Sequence, residues 1–382
     1  NITVSGWGLE INLDRQGLIA TGDIDGDGIE ELLVREANTN IDWVYRGLIG
    51  HDYAPSSSND VNEGKLDEND QFGTDITISD DATLMAVGAR YGDGPSASNS
   101  GEVYLYKFDD SDFTNATLIG RIGKGLTGGK NIDVDGKVGK QDKFGRSLSF
   151  DSTGKLLVVG APGDDGSTAE GVDASVNREA GAVYLITFDD TSYDNGQIVG
   201  VIGAGYNRSN TKDVNLLNQG VTNGPVIEAS DLFGMGVALD GDADVLAVGV
   251  YYDQGFNERN TKIKKSGSVF MLAFDDTDFS GGKVVSRIGA GYRYNDTVLN
   301  KCQNGACGTF ENDFNTQNEP DLILAEEDHF GRSVSLNHDG SLLAVGKEKD
   351  DGKDGSTKDA GAVQLFKFMN GGSIVSAATG KA

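Results

Sequence analysis

The sequence predicts an all-β protein, a β-propeller of four-stranded antiparallel blades, because one pattern of strand-like segments occurs four times along the chain. The first block of the pattern opens with Asp-x-Phe-Gly, and its copies begin at Asp70, Asp142, Asp231 and Asp328. A second block, of the type GAVYLITFDD, follows each copy after a variable loop and begins at Gly101, Gly181, Gly267 and Gly361. A third block, of the type TLIGRIGKG, follows in three copies and begins at Thr117, Gln197 and Lys283.

Each block has the residue pattern of one or two β-strands. The alternation of polar and apolar residues from Arg332 to Leu336 is typical of a half-buried strand. The short apolar run from Leu342 to Val345, which glycine ends, indicates a strand buried on both faces. The second and third blocks predict a third and a fourth strand. Because a lone four-stranded sheet cannot bury both of its faces, we expect the repeats to stack radially as blades.

The repeats favour one propeller domain over residues 1–382, with about five blades. The predicted blades cover approximately residues 1–50, 70–125, 142–206, 231–292 and 328–382. Residues 1–50 depart from the repeat but contain four strand-like segments, enough for one divergent blade. Alternatively, the first strand pairs with the C-terminal blade and closes the ring, which would remove two exposed sheet edges. The long loops between repeats either hold binding sites or only cap the blades.

Charge and composition exclude several classes of partner. The formal net charge is −28, which argues against nucleic acid and against anionic membrane surfaces as partners. Carboxylates in such excess either bind divalent cations or keep the chain soluble in a salty extracellular medium. No run of 18 apolar residues occurs, so we expect no membrane insertion. The chain opens directly on polar, strand-like sequence, so we expect a mature chain or a segment of a longer one.

The two cysteines, Cys302 and Cys307, lie in the polar segment CQNGAC. No histidine or second cysteine pair lies nearby, so we predict a local disulfide rather than a zinc site, and hence an oxidising compartment. The four N-glycosylation sequons occur about as often as chance allows in a chain this rich in Asn, Ser and Thr, and they begin at Asn1, Asn115, Asn207 and Asn295.

The sharpest candidate site is a calcium loop between two predicted strands. Its predicted ligands are the side chains of Asp23, Asp25, Asp27 and Glu31 and the carbonyl oxygen of Ile29. Oxygens at alternate positions can converge on one hard cation, and Gly28 permits the tight turn between them. The alternative is an acidic hairpin turn without a metal.

Other acidic turns carry weaker signals. Asp240, Asp242 and Asp244 alternate in the same way, but no glycine follows, so a plain hairpin is favoured over a further calcium site. The aspartate that opens each Asp-x-Phe-Gly block recurs four times, and we expect it to accept hydrogen bonds from backbone N–H groups where each blade begins.

The Phe-Gly element, followed by the strand VVGAP from Val158 to Pro162, resembles the FG-GAP repeat of integrin-alpha-type β-propellers. The resemblance extends from Asp70 to the C-terminus and is looser before it, although the loop from Asp23 to Glu31 looks like the calcium loop of such blades. It implies an extracellular propeller used for calcium-dependent adhesion or ligand binding.

Nothing in the sequence points to catalysis. The three histidines, His51, His329 and His338, fall at unrelated positions of the repeat, and no nucleophile elbow or phosphate-binding loop occurs. We therefore predict that the chain is not an enzyme but an extracellular, calcium-stabilised binding or adhesion module. Its partner would be a protein or glycan on another surface, or further copies of the chain. The alternative is a structural subunit of an extracellular filament or surface layer.

Overall fold

A computed structural model describes residues 46–51, 60–95, 98–167, 178–207, 211–217, 227–256, 261–292, 313–319, 322–352 and 355–368, and the backbone of four strands before them. Contacts between Cα atoms divide the chain into two compact units, Asn1–Arg46 and Gly47–Ala382, each of which is described by itself. That all 382 residues form one propeller domain stays a prediction.

The first unit contains one antiparallel sheet. Its strands follow one another in chain order as β1 (Ile2–Thr3), β2 (Glu10–Asp14), β3 (Gly17–Gly22) and β4 (Glu31–Arg35). The number of strands agrees with the predicted divergent blade, but their positions differ. The strand-like segment predicted at residues 2–11 holds β1 and the start of β2, which pair antiparallel. Most of the segment predicted at residues 41–48 lies outside the described residues.

The described residues of the second unit form four blades, each of which starts at a Phe-Gly copy. The first blade holds β7 (Phe72–Ile78), β8 (Leu84–Ala89), β9 (Glu102–Lys107), β10 (Thr117–Gly123) and β11 (Ile132–Asp133). The second blade holds β12 (Ser147–Phe150), β13 (Leu156–Ala161), β14 (Ala182–Thr187), β15 (Gln197–Gly203) and β16 (Val214–Asn215).

The third blade holds β17 (Phe233–Leu239), β18 (Val245–Val250), β21 (Ser268–Ala273), β22 (Lys283–Gly289) and β23 (Phe314–Asn315). A small hairpin of β19 (Gly255–Phe256) and β20 (Lys262–Ile263) projects from it, and a 3₁₀ turn over Thr316–Asn318 follows β23. The fourth blade holds β24 (Phe330–Leu336), β25 (Leu342–Lys347) and β26 (Ala362–Lys367). No helix in the described part of the chain is long and apolar enough to cross a membrane.

Three of the blades have a short fifth strand that the sequence did not predict. It runs parallel to the fourth strand and joins it over two residue pairs, of which Ile122 with Ile132 is typical. The pair β5 (Ile49–Gly50) and β6 (Val61–Asn62) has the same parallel register immediately before the first blade. The first four strands of these blades are antiparallel, as predicted.

The first strands of the four blades lie side by side as the innermost layer of the propeller, with β7 beside β12, β12 beside β17, and β17 beside β24. Side chains on one inner strand bond the backbone of the next. The Leu148 N–H donates to Asp75 Oδ2 at 2.7 Å, and the Leu239 N–H donates to Ser149 Oγ at 3.0 Å. Blade follows blade around one axis, as the repeats predict.

Each Phe-Gly phenylalanine is the contact point between consecutive blades. The glycine before the third strand of one blade forms a parallel bridge with the phenylalanine of the next, in the pairs Gly101–Phe144, Gly181–Phe233 and Gly267–Phe330. The three bridged phenylalanines have no exposed surface and sit in the apolar layers between blades. These three phenylalanines therefore occupy equivalent buried positions, whereas Phe72 is only half-buried.

Candidate functional site

The inner strands enclose one central channel, with a cavity of about 460 Å³. All four blades contribute to its wall, through residues on β7, β12, β17 and β24. The wall is largely polar, with serines at Ser147, Ser149, Ser333 and Ser335. Consecutive residues after each Phe-Gly line this space, as in the run from Arg332 to Leu336, so the inner strands border it along their length.

At one end of the channel lies a second cavity of about 340 Å³, which we call the channel mouth. Its lining contains three arginines, Arg90, Arg146 and Arg332, together with Gln71 to Thr74. No carboxylate lines it among the residues that the structure describes. This concentration of positive charge contrasts with the net charge of −28 of the whole chain.

The aspartate of each Asp-x-Phe-Gly block is buried and accepts a hydrogen bond from the N–H three residues before it. The donors to Asp70, Asp142, Asp231 and Asp328 lie at 2.7, 2.5, 2.6 and 2.8 Å from Oδ2, in that order. These bonds close the turn that leads the chain into the inner strand. The predicted structural role of the recurring aspartate is confirmed.

In the second blade, Asp142 lies close to a further buried carboxyl, that of Asp164. Asp164 follows the second strand and accepts hydrogen bonds from the hydroxyls of Tyr184 at 2.7 Å and Tyr206 at 2.9 Å. Burial, and then the neighbouring Asp164 carboxylate, raise the pKa of Asp142 to about 8. Burial also raises the pKa of Asp164 to about 6, against the two tyrosine hydrogen bonds. Two such groups can share one proton near neutral pH.

The equivalent place in the fourth blade contains a built-in cation. The carboxylates of Asp328 and Asp350 both face the ammonium group of Lys347, which is 6% exposed. Asp350 occupies the repeat position of Asp164, and Lys347 the position of Ala161. The fourth copy thus balances its pair of carboxylates with a lysine, where the second copy has an alanine.

In the first and third blades, an arginine on the fourth strand pairs with an acidic side chain. In the first blade, Gly92 replaces the second aspartate, and Glu102 pairs with Arg121 at 2.9 Å. In the third, burial and then Asp253 raise the pKa of Asp231 well above its ordinary value, while Arg287 pairs with Asp313 at 2.7 Å. Only part of the buried negative charge is therefore compensated. Among the described residues, no basic group of the second blade forms an ion pair with Asp142 or Asp164, and Lys124, which follows β10 of the first blade, lowers the pKa of Asp142 by less than burial and Asp164 raise it.

The predicted calcium loop falls largely outside the described residues. Asp23, Asp25, Asp27 and Ile29 lie there, and of Glu31 only the backbone is described, at the start of β4. Among the residues that the structure does describe, no three His, Cys, Asp or Glu side chains are grouped so as to hold a metal ion. Cys302 and Cys307 also lie outside the described part, so their disulfide stays a prediction.

The alternating acids in the third blade form a hairpin turn. The Oδ1 of Asp240 accepts the N–H groups of Asp244 and Val245, both at 3.0 Å, while Asp242 is exposed. Asp151 and Asn337 cap the same hairpin in the second and fourth blades. The hairpin turn agrees with the sequence, and that it holds no calcium stays a prediction.

The sequence of any one repeat predicts neither the channel mouth nor the acid pair of Asp142 and Asp164. The signal for the first is that the residue directly after Phe-Gly is Thr74, Arg146, Met235 or Arg332, so two copies place arginine on the innermost strand. The signal for the second is an aspartate four residues after the Val-Gly dipeptide, at Asp164, Asp253 and Asp350. Only an alignment of the copies with each other shows these positions to be equivalent.

Comparison with known proteins identifies the repeat. Residues 66–106 and 324–366 match the family model of the FG-GAP repeat. No curated protein sequence matches the chain. Among solved structures, the periplasmic gluconolactonase PpgL of Pseudomonas aeruginosa is 12% identical, over 86% of this chain and 71% of that chain, with a TM-score of 0.26. A similarity at that score carries no argument about the chemistry of this chain.

The two matched segments contain β7 to β9 of the first blade and β24 to β26 of the fourth, so the family model and the strand topology agree. A propeller of this kind is a binding or structural module. Two blades of the described β-propeller therefore match the FG-GAP repeat.

Proposed function

We propose that the chain is an extracellular, calcium-stabilised binding module that attaches to a protein or glycan on another surface. The observation that supports it best is the channel: four copies of one repeat hold their inner strands around a single polar cavity. Such a frame fixes the positions of the groups at its ends, which favours recognition, since little order has to be created on binding. The resemblance to integrin-alpha-type propellers favours the extracellular setting.

Calcium enters the proposal through the loop from Asp23 to Glu31. Four carboxylates within nine residues repel one another, and a bound Ca²⁺ would offset that repulsion and fix the turn between β3 and β4. The large excess of negative charge over the chain would also raise the local concentration of divalent cations.

Binding by the single chain distinguishes this proposal from the structural-subunit alternative. The labelled chain would be applied to an array of cell-surface glycans and extracellular matrix proteins, at a concentration where sedimentation velocity shows one monomeric species. We expect saturable binding that falls when calcium is chelated. Heat-unfolded chain is the control, because it has the same charge without the fold. Absence of binding, together with assembly that grows with protein concentration, would contradict the proposal and favour the alternative.

A further inference from the structure

The channel mouth contains an arginine, Arg146, whose charge is not paired with any carboxylate in the described part of the chain. Arg146 is the first residue after Phe-Gly in the second blade, and it lines both the mouth and the channel. It is only 8% exposed, and its Nε has no hydrogen-bond partner. Among the described residues, no carboxylate forms an ion pair with it.

A buried guanidinium group without a partner is costly, because burial removes the water that would otherwise solvate it. The cost is unexpected in this chain, which has 60 acidic residues against 32 lysines and arginines. The other buried Arg and Lys side chains among the described residues do have a carboxylate, as Arg287 has Asp313 and Lys347 has Asp350. The position is therefore consistent with a negative charge that comes from outside the chain.

Two further arginines border the same cavity. The Nε of Arg90 donates to Gln71 Oε1 at 2.7 Å, and no described carboxylate forms an ion pair with Arg90. Arg332 pairs with Glu348 at 3.0 Å, so its charge is already balanced. Among the described residues, the mouth consequently carries about two uncompensated positive charges. The Thr74 hydroxyl does not add a donor, because it already donates to the Gln71 carbonyl oxygen at 2.5 Å.

We propose that the channel mouth binds a small ligand through an oxyanion group, a carboxylate, sulfate or phosphate, held by Arg146 with Arg90 beside it. Guanidinium groups bond such oxygens in pairs, which makes them the preferred partners of these anions. A cavity of about 340 Å³ is large enough for a small ligand. This inference rests on the proposed binding function and names the class of ligand at one of its sites.

Asp75 limits the site to the mouth. It follows Thr74 on β7, lines the deeper channel, and accepts the Leu148 N–H. Its carboxyl, whose pKa burial raises, offers an anion no positive charge, whereas Arg90 and Arg146 lie at the mouth. The oxyanion group would therefore stay at the arginines, with the remainder of the ligand directed outward.

Titration calorimetry with acetate, sulfate and inorganic phosphate tests the proposal on the purified full chain, at constant ionic strength. We expect saturable binding of at least one of the three, and the one that binds identifies the group. Arg146→Gln should lower the affinity at least tenfold, and Arg90→Gln should lower it less. The control is Arg178→Gln, which removes an equal charge from an exposed loop and should leave the affinity unchanged.

Thermal melting without ligand separates a binding role from a structural one. If the charge of Arg146 is uncompensated, Arg146→Gln should melt at the wild-type temperature or above it. A large loss of stability in this variant would contradict the proposal, as would no binding by the wild type in the millimolar range. An equal loss of affinity in Arg178→Gln would reduce the effect to general charge screening. If the anion site fails these tests, binding to the array of glycans and matrix proteins is not affected, so the two proposals can be rejected separately.

Discussion

The backbone of Gly181, at the entrance of the third strand in one blade, forms a parallel β-bridge with that of Phe233 in the next. The Phe233 N–H donates to the carbonyl oxygen of Ala180 at 2.8 Å, so two neighbouring sheets meet main chain to main chain. A Cβ atom on Gly181 would lie 2.1 Å from the Phe233 oxygen. Glycine is therefore required at this position by the contact between blades as well as by its φ of 92°.

Replacing this glycine should loosen the junction between the second and third blades. Gly181→Ala combines a strained positive φ with a main-chain clash, so we expect the free energy of unfolding to fall by about 3 kcal/mol or more. The control is Gly136→Ala, where φ is 74° but nothing lies within 4 Å of the added methyl group. It should cost only about 1–2 kcal/mol. Urea denaturation measures both, and equal losses would show that the bridge adds nothing.

Removing a phenylalanine ring from the layer between two blades should lower the free energy of unfolding as much as removing a core residue does. Phe233→Ala deletes a ring with no exposed surface, and we expect a loss of about 3–5 kcal/mol in the free energy of unfolding. Phe72→Ala is the matched comparison, because the same repeat position is only half-buried there, and it should cost less. If the two variants lose the same free energy, burial between blades is not what the phenylalanine supplies.

The acid pair of the second blade predicts a stability that falls as pH rises. The ordinary pKa of both carboxyls is 3.8, and the folded chain raises it to about 8 for Asp142 and about 6 for Asp164. Between pH 4 and pH 8, the folded chain therefore binds more protons at these two carboxyls than the unfolded chain does. The stabilisation is complete below about pH 4 and is lost as the pH passes through 6 and 8.

Asp142→Asn tests this, since an amide oxygen can still accept the Gly139 N–H without carrying charge. Between pH 6 and pH 8 the wild type should lose up to about 1.4 kcal/mol per pH unit more than the variant. The control Asp242→Asn removes an exposed carboxylate and should follow the wild type. Parallel curves for all three chains would show that Asp142 is not protonated in the folded state.

Much of the fold could be predicted because each strand occurs several times. The alternation from Arg332 to Leu336 and the apolar run from Leu342 correspond to β24 and β25 almost residue for residue. The short parallel strands could not be predicted, since two residues such as Ile132–Asp133 carry no periodicity. Their pairing depends on how the preceding loop returns to the sheet.

The candidate site was less accessible to sequence reasoning than the fold. Arg146 and Arg332 are 186 residues apart in the chain and meet at one cavity only because their blades surround a common axis. The raised pKa of Asp142 depends on burial and on Asp164, which packing brings close and spacing does not reveal. The aspartate of each Phe-Gly block was predictable, because its hydrogen bond is made three residues away.

Titration of Ca²⁺ into the chelator-stripped chain tests most directly whether this propeller is calcium-stabilised. We expect saturable binding and a higher melting temperature, since an ion that binds only the folded chain adds about 2.7 kcal/mol at a hundredfold excess over Kd. Asp25→Ala should remove most of both effects, Asp242→Ala should keep them, and Mg²⁺ should substitute poorly. Absence of binding heat, with a melting temperature that chelator does not change, would contradict the claim.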